Sequence, residues 1–416
     1  MVVKNLKKIR IPKLLCPVSN WPMLRAAVES GCDEVYFGTK ELNMRVNANN
    51  FELSELSKIV SFCHEHDVRA NLCVNTIIYD SELKKLDQVL LCAKNALIDA
   101  IICWDFSVIS KCFELKLPFH VSTQASISNF ESVKQFVKLG ATRVILAREL
   151  SFEQIKQIKE KIVESNLDVE VECFVHGAMC VSVSGRCFLS QDIFNRSANR
   201  GDCLQPCRRE YLVKDIDREF ELVLGKDYIM SPKDLCAIEF LEKLVGPIDV
   251  MKIEGRGRSP EYVKLVTSCY RSALDAISQG KYSGELKEEL VGKLKTVYNR
   301  GFSTGFYLGK PLNEWTKNYG SESTIKKEFI GFVKNYYKKI QVAEIKILAE
   351  ELKIGDTIMI QGNKSGVFEQ KIKSIQFNGT SVKIGSKGQS VGILLEREAR
   401  TNDKVFRLSE ISNSSN

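Results

Sequence analysis

Five cysteines in a polar part of the sequence could bind a metal: Cys180, Cys187, Cys203, Cys207 and Cys236. Thiolates bind soft metals, and four of them can complete a tetrahedral or cubane site. Structural zinc sites usually contain cysteine pairs with about two to four residues between them. The Cys203–Cys207 pair matches that spacing, whereas Cys180 and Cys187 do not. The wide, irregular spacing favours an iron–sulfur cluster, with a zinc site and a set of unrelated cysteines as alternatives.

Four polar residues near these cysteines are candidates for acid–base chemistry. His176 follows an apolar run that we predict to be the seventh strand, and histidine titrates near neutral pH. If strand alternation continues that far, Glu172 points the same way as His176. Lys252 and Glu254 end the predicted eighth strand and share one face by the same rule. We expect these four residues to form the catalytic group, although His176 could instead orient the cysteine loop.

Polar side chains after other predicted strands could hold a substrate. Arg45 and Asn47 follow the second strand, Gln124 follows the fifth and Arg256 follows the eighth. A planar guanidinium binds carboxylate or phosphate well. If the strands form a barrel, all four residues lie at its C-terminal face and are candidates for substrate binding. The alternative for each one is an ordinary solvated loop residue.

The elements that would position these residues are short apolar runs alternating with segments of helical periodicity. The eight runs lie at 13–17, 34–38, 69–75, 100–104, 119–122, 143–147, 169–175 and 249–253. Such alternation predicts a parallel sheet with helices outside it, and eight strands predict a TIM-like (β/α)8 barrel. An open doubly wound sheet is the alternative, but no glycine-rich phosphate loop follows the first strand.

The long interval at 176–246 carries the dense cysteines, and we predict it to be an insertion at the C-terminal face of the barrel. From residue 330 onward, short strand candidates separated by turn residues predict a small C-terminal β-barrel domain. This domain is rich in lysine, so it could help to hold RNA. The predicted organisation is an N-terminal extension at 1–12, the barrel at 13–300, a linker at 301–329, the β-barrel domain at 330–410 and a tail at 411–416.

Composition sets the class of protein. The 416 residues are 44% hydrophobic with a net charge of +8, which is ordinary for a soluble protein and compatible with a nucleic-acid partner. No run approaches the roughly 20 apolar residues of a membrane helix, and no secretory signal is visible. Fourteen cysteines are best accommodated as thiols in a reducing compartment, so we expect a cytoplasmic protein without a membrane partner.

Long stretches of the sequence resemble the collagenase-like peptidase U-32 family. They are FVHGAMCVSVSGRCFLS, NRSANRGDCLQPCR, SPKDLC and MKIEGRGRS, together with the opening PKLLCPVSNWPMLRAAVESGCDEVYFG. The resemblance covers about residues 13–307. The family name records an assignment as proteases, but this sequence contains neither HExxH nor GxSxG.

The resemblance implies an oxygen-independent hydroxylase. Better understood members of the family make 5-hydroxyuridine in tRNA, hydroxylate a cytidine in ribosomal RNA or hydroxylate the ubiquinone ring. The resemblance further implies a 4Fe-4S cluster on Cys180, Cys187, Cys203 and Cys236, with Cys207 as the rival fourth ligand. It also implies prephenate as co-substrate, and RNA and the iron–sulfur assembly machinery as partners. We interpret the chain as a hydroxylase of tRNA uridine. The alternatives are a peptidase, a non-catalytic iron–sulfur scaffold and an enzyme acting on a small aromatic ring.

Overall fold

The computed structural model describes residues 10–209, 211–214, 216–217, 221–224, 231–309, 314–316 and 320–411. Most of the predicted N-terminal extension and tail, and parts of the predicted insertion and linker, lie outside these residues. The first eleven strands are β1 (Lys13–Pro17), β2 (Glu34–Phe37), β3 (Arg69–Cys73), β4 (Ala100–Cys103), β5 (Phe119–Val121), β6 (Arg143–Ile145), β7 (Glu170–Gly177), β8 (Tyr211–Lys214), β9 (Glu221–Leu224), β10 (Asp234–Cys236) and β11 (Val250–Ile253).

Strands β1 to β7 and β11 form a closed parallel barrel. They pair in sequence order, and β11 closes the ring because it pairs with both β1 and β7. The strands are buried along nearly their whole length, as parallel strands covered on both faces must be. The predicted (β/α)8 barrel is therefore confirmed.

Helices surround the barrel. They are α1 (Trp21–Glu29), α2 (Leu56–His64), α3 (Leu83–Asn95), α4 (Phe106–Leu115), α5 (Phe130–Lys138), α6 (Phe152–Glu164), α7 (Leu189–Phe194), α8 (Leu241–Leu244), α9 (Pro260–Ser278) and α10 (Gly284–Leu294). Several begin at side-chain caps; the Asn20 side chain, for example, accepts a hydrogen bond from the Met23 amide at the start of α1. Nowhere in the described ranges is a helix long and apolar enough to span a bilayer.

An ionic network fills the end of the barrel interior opposite the strand ends that carry the predicted site. The Arg143 guanidinium donates to Glu34 at 2.7 Å and to Glu172 at 3.1 Å. Lys252 donates to the other carboxylate oxygen of Glu172 at 2.8 Å. All four side chains are at most 5% exposed. Buried charges are tolerated only when paired in this way, so the network fixes the position of Lys252 from below.

The C-terminal domain is a separate antiparallel β structure with its own core, as predicted. After β12 (Phe302–Ser303), which pairs with β10, its strands are β13 (Ile325–Tyr337), β14 (Val342–Ile347), β15 (Leu352–Lys353), β16 (Thr357–Gly362), β17 (Gly366–Lys371), β18 (Ile375–Phe377), β19 (Thr380–Val382), β20 (Ile384–Gly385), β21 (Ser390–Leu394) and β22 (Lys404–Glu410).

The two domains are joined by direct contacts. Ala26 on α1 packs against Met359 and Val367 of the β domain. The Arg25 Nε donates to the Asn363 carbonyl at 2.8 Å, and Lys264 Nζ donates to the Val367 carbonyl at 2.7 Å. The β16–β17 hairpin is thereby fixed beside α1 and the C-terminal end of β1.

Candidate active site

A cavity of about 130 Å³ opens at the C-terminal ends of the barrel strands. Tyr36, Cys73, Phe174 and Lys252 come from four different strands and line it. The cysteine-bearing segment after β7 covers one side. Barrel enzymes carry their chemistry at this face, so the cavity is the candidate active site.

The cavity is strongly cationic. Its described lining includes one lysine and five arginines but a single carboxylate, that of Glu254. The arginines are Arg45, Arg148, Arg208, Arg256 and Arg300. Such an excess of positive charge favours an anionic ligand.

The Glu254 carboxylate is fixed in its ionised form. Burial acts to raise its pKa, but Arg45, 3.0 Å away, and Arg148 outweigh burial and bring the pKa to about 2. The Tyr36 hydroxyl also donates to this carboxylate, at 3.1 Å. Glu254 therefore cannot serve as a general acid near neutral pH, and its role is to orient Arg45 and Tyr36.

Lys252 reaches the floor of the cavity, whereas Glu172 lies beneath it. The Lys252 ammonium lies 4.3 Å from the centre of the Tyr36 ring, a cation–π distance. Glu172 is fully buried and is occupied by Lys252 and Arg143. Of these two predicted residues, only Lys252 can touch a ligand in the cavity. Glu172 acts by positioning Lys252.

Two arginines of the cavity have buried N–H groups without a hydrogen-bond partner in the described structure. Arg148 donates one bond, to the Ala178 carbonyl at 3.0 Å, and stacks over Phe174. Its Nε and Nη2 are buried without a partner in the described structure, as is the Nε of Arg256. Burial also lowers the pKa of Arg148. Buried donors without partners are costly, so these guanidinium groups are suited to receive oxygen atoms of a ligand.

The other predicted substrate-binding residues divide into two groups. Arg45, Gln124 and Arg256 line the cavity, and Gln124 also donates to the Ser184 carbonyl at 3.1 Å. Asn47 does not line it and instead donates to Asp202 at 2.8 Å. Asn47 thus connects the loop after β2 to the cysteine segment.

Cys180, Cys203 and Cys207 line the cavity, and Cys187 lies near Cys203 and Cys207. Burial raises the pKa of both Cys203 and Cys207, and the charges of Cys180 and Cys187 raise these two pKa values further. Within the described residues no three His, Cys, Asp or Glu side chains are already close enough to hold an ion. Each cysteine of a cubane binds a different iron atom, so the thiols of a cluster site need not be as close together as the ligands of a single ion.

The backbone around these thiols suits a thiolate-bound cluster. The amides of Ser182, Leu189 and Gln205 each donate to the sulfur of the cysteine two residues earlier, at 3.4 Å in all three cases. Hydrogen bonds to sulfur stabilise thiolate ligands and tune cluster potentials. The donor set thus fits an iron–sulfur cluster, with Cys180, Cys187 and Cys203 as three of its ligands.

Comparison with known proteins assigns the chain to a family. The model of "Peptidase family U32" matches residues 19–317. The chain belongs to Peptidase family U32. A U32 relative named collagenase, from Porphyromonas gingivalis, is 42% identical over 95% of this chain and 97% of its own length. An uncharacterized protease of Methanocaldococcus jannaschii is 43% identical over 96% and 98%. The "tRNA hydroxylation protein P1" of Bacillus subtilis is 33% identical over 88% and 86%.

His176 of this U32 chain lies outside the cavity, which corrects our expectation that it faces the same way as Glu172. In the pairing of β7 with β11, Phe174 lies opposite Lys252 but His176 lies opposite Ile253. One extra residue, Val175, therefore forms a bulge and resets the alternation. The His176 ring packs instead against Tyr270 of α9, whose hydroxyl is 3.3 Å from Nδ1. Burial lowers the pKa of His176 to about 3, so the ring is neutral.

Cys236 lies on the same outer side as His176, directly across the β7–β10 pairing from it. Its sulfur accepts from the Tyr270 hydroxyl at 4.0 Å, and burial raises its pKa to about 11. It receives a backbone hydrogen bond from Ile238, but it does not line the cavity. The structure groups Cys207, not Cys236, with the other three cysteines.

Sequence reasoning missed three cationic residues of the cavity. Arg148 directly follows the run 143–147, at the strand end where site residues are expected, so its position was a usable signal. Arg208 adjoins Cys207, and its guanidinium binds the Met179 and Pro232 carbonyls at 2.7 Å each. Arg300 comes from the segment after α10, and nothing in the sequence pointed to it.

Proposed function

We propose that this U32 protein is an iron–sulfur-dependent, oxygen-independent hydroxylase of an RNA base, with uridine in tRNA as its substrate. The observation that carries the proposal is the convergence of three thiols, with Cys187 beside them, and six cationic side chains on one small cavity. A relative named for tRNA hydroxylation is similar over most of its length, which supports the choice of RNA.

Cys180, Cys187, Cys203 and Cys207 would hold the cluster. Bound there, it would supply one-electron transfer beside the cavity. Arg208 and Arg45 lie near two of these sulfurs: each lowers the pKa of its neighbouring thiol, against the effect of burial. The protein thus provides positive charge that stabilises thiolates at this rim.

The lining of the cavity combines aromatic and cationic side chains. Enzymes that modify a base in RNA or DNA take that base out of its stack and insert it into such a pocket. Tyr36 and Phe174 line the cavity, with Lys252 over the first ring and Arg148 over the second, so a flipped base would meet aromatic and cationic groups together.

Hydroxylating a pyrimidine removes two electrons from the ring, so a co-reactant is required. We propose prephenate, which carries two carboxylates. The unpartnered donors of Arg148 and Arg256 are suited to bind carboxylate oxygens. Lys252, held by Glu172 at 2.8 Å, adds a third positive charge beside them.

Nucleoside mass spectrometry of RNA from a deletion strain tests the proposal. Loss of a hydroxylated pyrimidine is expected, with recovery on expression of the wild-type chain but not of Cys203→Ser. Cys92→Ser is the matched control, because Cys92 is an exposed cysteine on α3. Expression of this variant should restore the modification. Unchanged nucleosides in the deletion strain would refute the proposal.

A peptidase is the second candidate, because a relative of 42% identity is named collagenase. The described cavity lining contains serine, threonine and cysteine side chains but no histidine, and Glu254 is ionised and paired. No nucleophile–base pair is therefore in place. Cleavage of gelatin by highly purified protein, abolished by Lys252→Met and retained by Cys92→Ser, would establish this alternative in place of hydroxylation.

A further inference from the structure

A second opening, here named the interdomain groove, lies between the barrel and the C-terminal domain. It has a volume of about 720 Å³. Its barrel wall includes Asn20 and Asn49, which belong to the loops after β1 and β2. Its other wall is formed by the turn between β16 and β17 and by the turn before β22. This wall includes Asn363, Lys364, Arg400, Asn402 and Lys404.

The groove is polar and cationic. Lys364 and Lys404 are exposed and have no ion-pair partner among the residues that the structure describes, while Arg400 pairs with Glu398 at 3.2 Å. The acidic residue of the described lining, Asp403, is 4% exposed and accepts from the Arg400 amide at 2.7 Å and from the Ser365 hydroxyl. Asp403 is therefore used internally, and the surface that a ligand meets is positive and rich in side-chain amides.

The groove and the active-site cavity share one wall, the loop between β2 and α2. Arg45 of this loop lines the cavity, and Asn49 lines the groove. Asn50, next to Asn49, accepts through its side chain from Arg256 of the cavity at 2.7 Å. One loop thus contributes residues to both openings, and a ligand that extends across this loop would contact both.

We infer that the interdomain groove binds the sugar–phosphate backbone of a single-stranded RNA segment whose flipped base occupies the cavity. The inference rests on the proposed function and adds a binding surface to it. Lys364, Lys404 and Arg400 face the phosphates, which is the electrostatic complement that single-strand binding requires. Amides such as Asn363 and Asn402 suit the 2′-hydroxyl, which donates and accepts hydrogen bonds.

The test compares two full-length double variants in binding a fluorescein-labelled anticodon stem–loop across a salt series. Lys364→Gln/Lys404→Gln removes two charges from the groove. Lys371→Gln/Lys383→Gln removes two exposed charges away from the groove: Lys371 pairs with Thr357 at the other end of the β16–β17 hairpin, and Lys383 lies between β19 and β20. Each lost phosphate contact on a single strand lowers the salt slope by about 0.7. The groove variant should lose about 1.4 from its slope and bind roughly 25-fold more weakly at about 0.1 M salt, and the control should match the wild type.

Equal slopes for the two double variants, both below the wild type, would overturn the groove while leaving RNA binding intact. Slopes that equal the wild type in both variants would overturn it as well. If the wild type itself shows no salt-dependent binding to the RNA, the proposed function fails together with the groove. Tight binding with a normal slope but unchanged nucleosides in the deletion strain would refute the chemistry alone.

Discussion

Replacing Glu254 tests its ion pair with Arg45. The expected change in the free energy of unfolding can be worked out from the structure. The Glu254 side chain is 14% exposed, whereas Arg45 is 40% exposed. Burial acts to raise the pKa of Glu254, and Arg45 and Arg148 lower it to about 2 from its ordinary 4.5. Glu254→Gln keeps the shape of the side chain and removes its charge, so it isolates the electrostatic contribution.

The depressed pKa means that the charged form stabilises the folded protein. That stability is fully present above pH 4.5 and is lost as the pH falls through about 2. The difference between the two pKa values corresponds to about 3.4 kcal/mol in the free energy of unfolding at neutral pH, at roughly 1.36 kcal/mol per pKa unit. Between pH 7 and pH 3.5 the wild type should lose about 1.4 kcal/mol of this contribution, and Glu254→Gln should lose none of it.

Urea unfolding followed by tryptophan fluorescence at the two pH values measures this difference. Glu344→Gln is the control, because Glu344 forms a similar pair with Lys334 at 2.8 Å but its partner is 62% exposed. Exposed pairs contribute about 0–1 kcal/mol, so this control should be less affected at pH 7. A Glu254→Gln protein that is as stable as the wild type at pH 7, with the same loss at pH 3.5, would refute the reasoning.

Three further predictions concern the site. Cys207→Ser should lower the iron content of anaerobically purified protein, whereas Cys236→Ser should retain it; the reverse pattern would restore Cys236 as the fourth ligand. Arg148→Gln should raise the KM for prephenate about ten- to a hundredfold, the usual effect of losing hydrogen bonds to a charged group, and an unchanged KM would remove Arg148 from the co-substrate site. His176→Phe should leave the pH profile of kcat/KM unchanged, because a ring with a pKa of about 3 is already neutral; a lost limb of that profile would place His176 in the chemistry.

The barrel was predictable because its strands are short apolar runs that differ clearly from the amphipathic segments between them. The prediction of β1 at residues 13–17 agrees with the structure, and the predicted C-terminal β domain is present, although its strand β13 begins at Ile325, within the predicted linker. The run at 69–75 was too long by two residues, because Val74 continues the apolar run and both Val74 and Asn75 stay buried beyond the end of β3. Burial on both faces erases alternation, so the pattern indicates a strand but not where its pairing stops.

The cavity was only partly predictable, because two of its determinants are not local. The bulge at Val175 shows only in the pairing of β7 with β11, so alternation along β7 placed His176 on the wrong side. Arg300 reaches the cavity across a large sequence separation. Lys252, Glu254 and Arg45 follow the rule that strand ends carry the site, and the structure brings them to the cavity.

The bulge in β7 also explains why acid–base catalysis by histidine is a poor model for this site. It turns His176 toward α9, where Tyr270 contacts both His176 and Cys236 of β10. What remains in the cavity is fixed cations with one ionised carboxylate, held from below by the Arg143–Glu172–Lys252 network. Fixed positive charge of this kind binds anions and stabilises negative charge as it develops, but it does not shuttle protons near neutral pH. In the proposed hydroxylation, the proton released from the base would therefore pass to the co-substrate or to water.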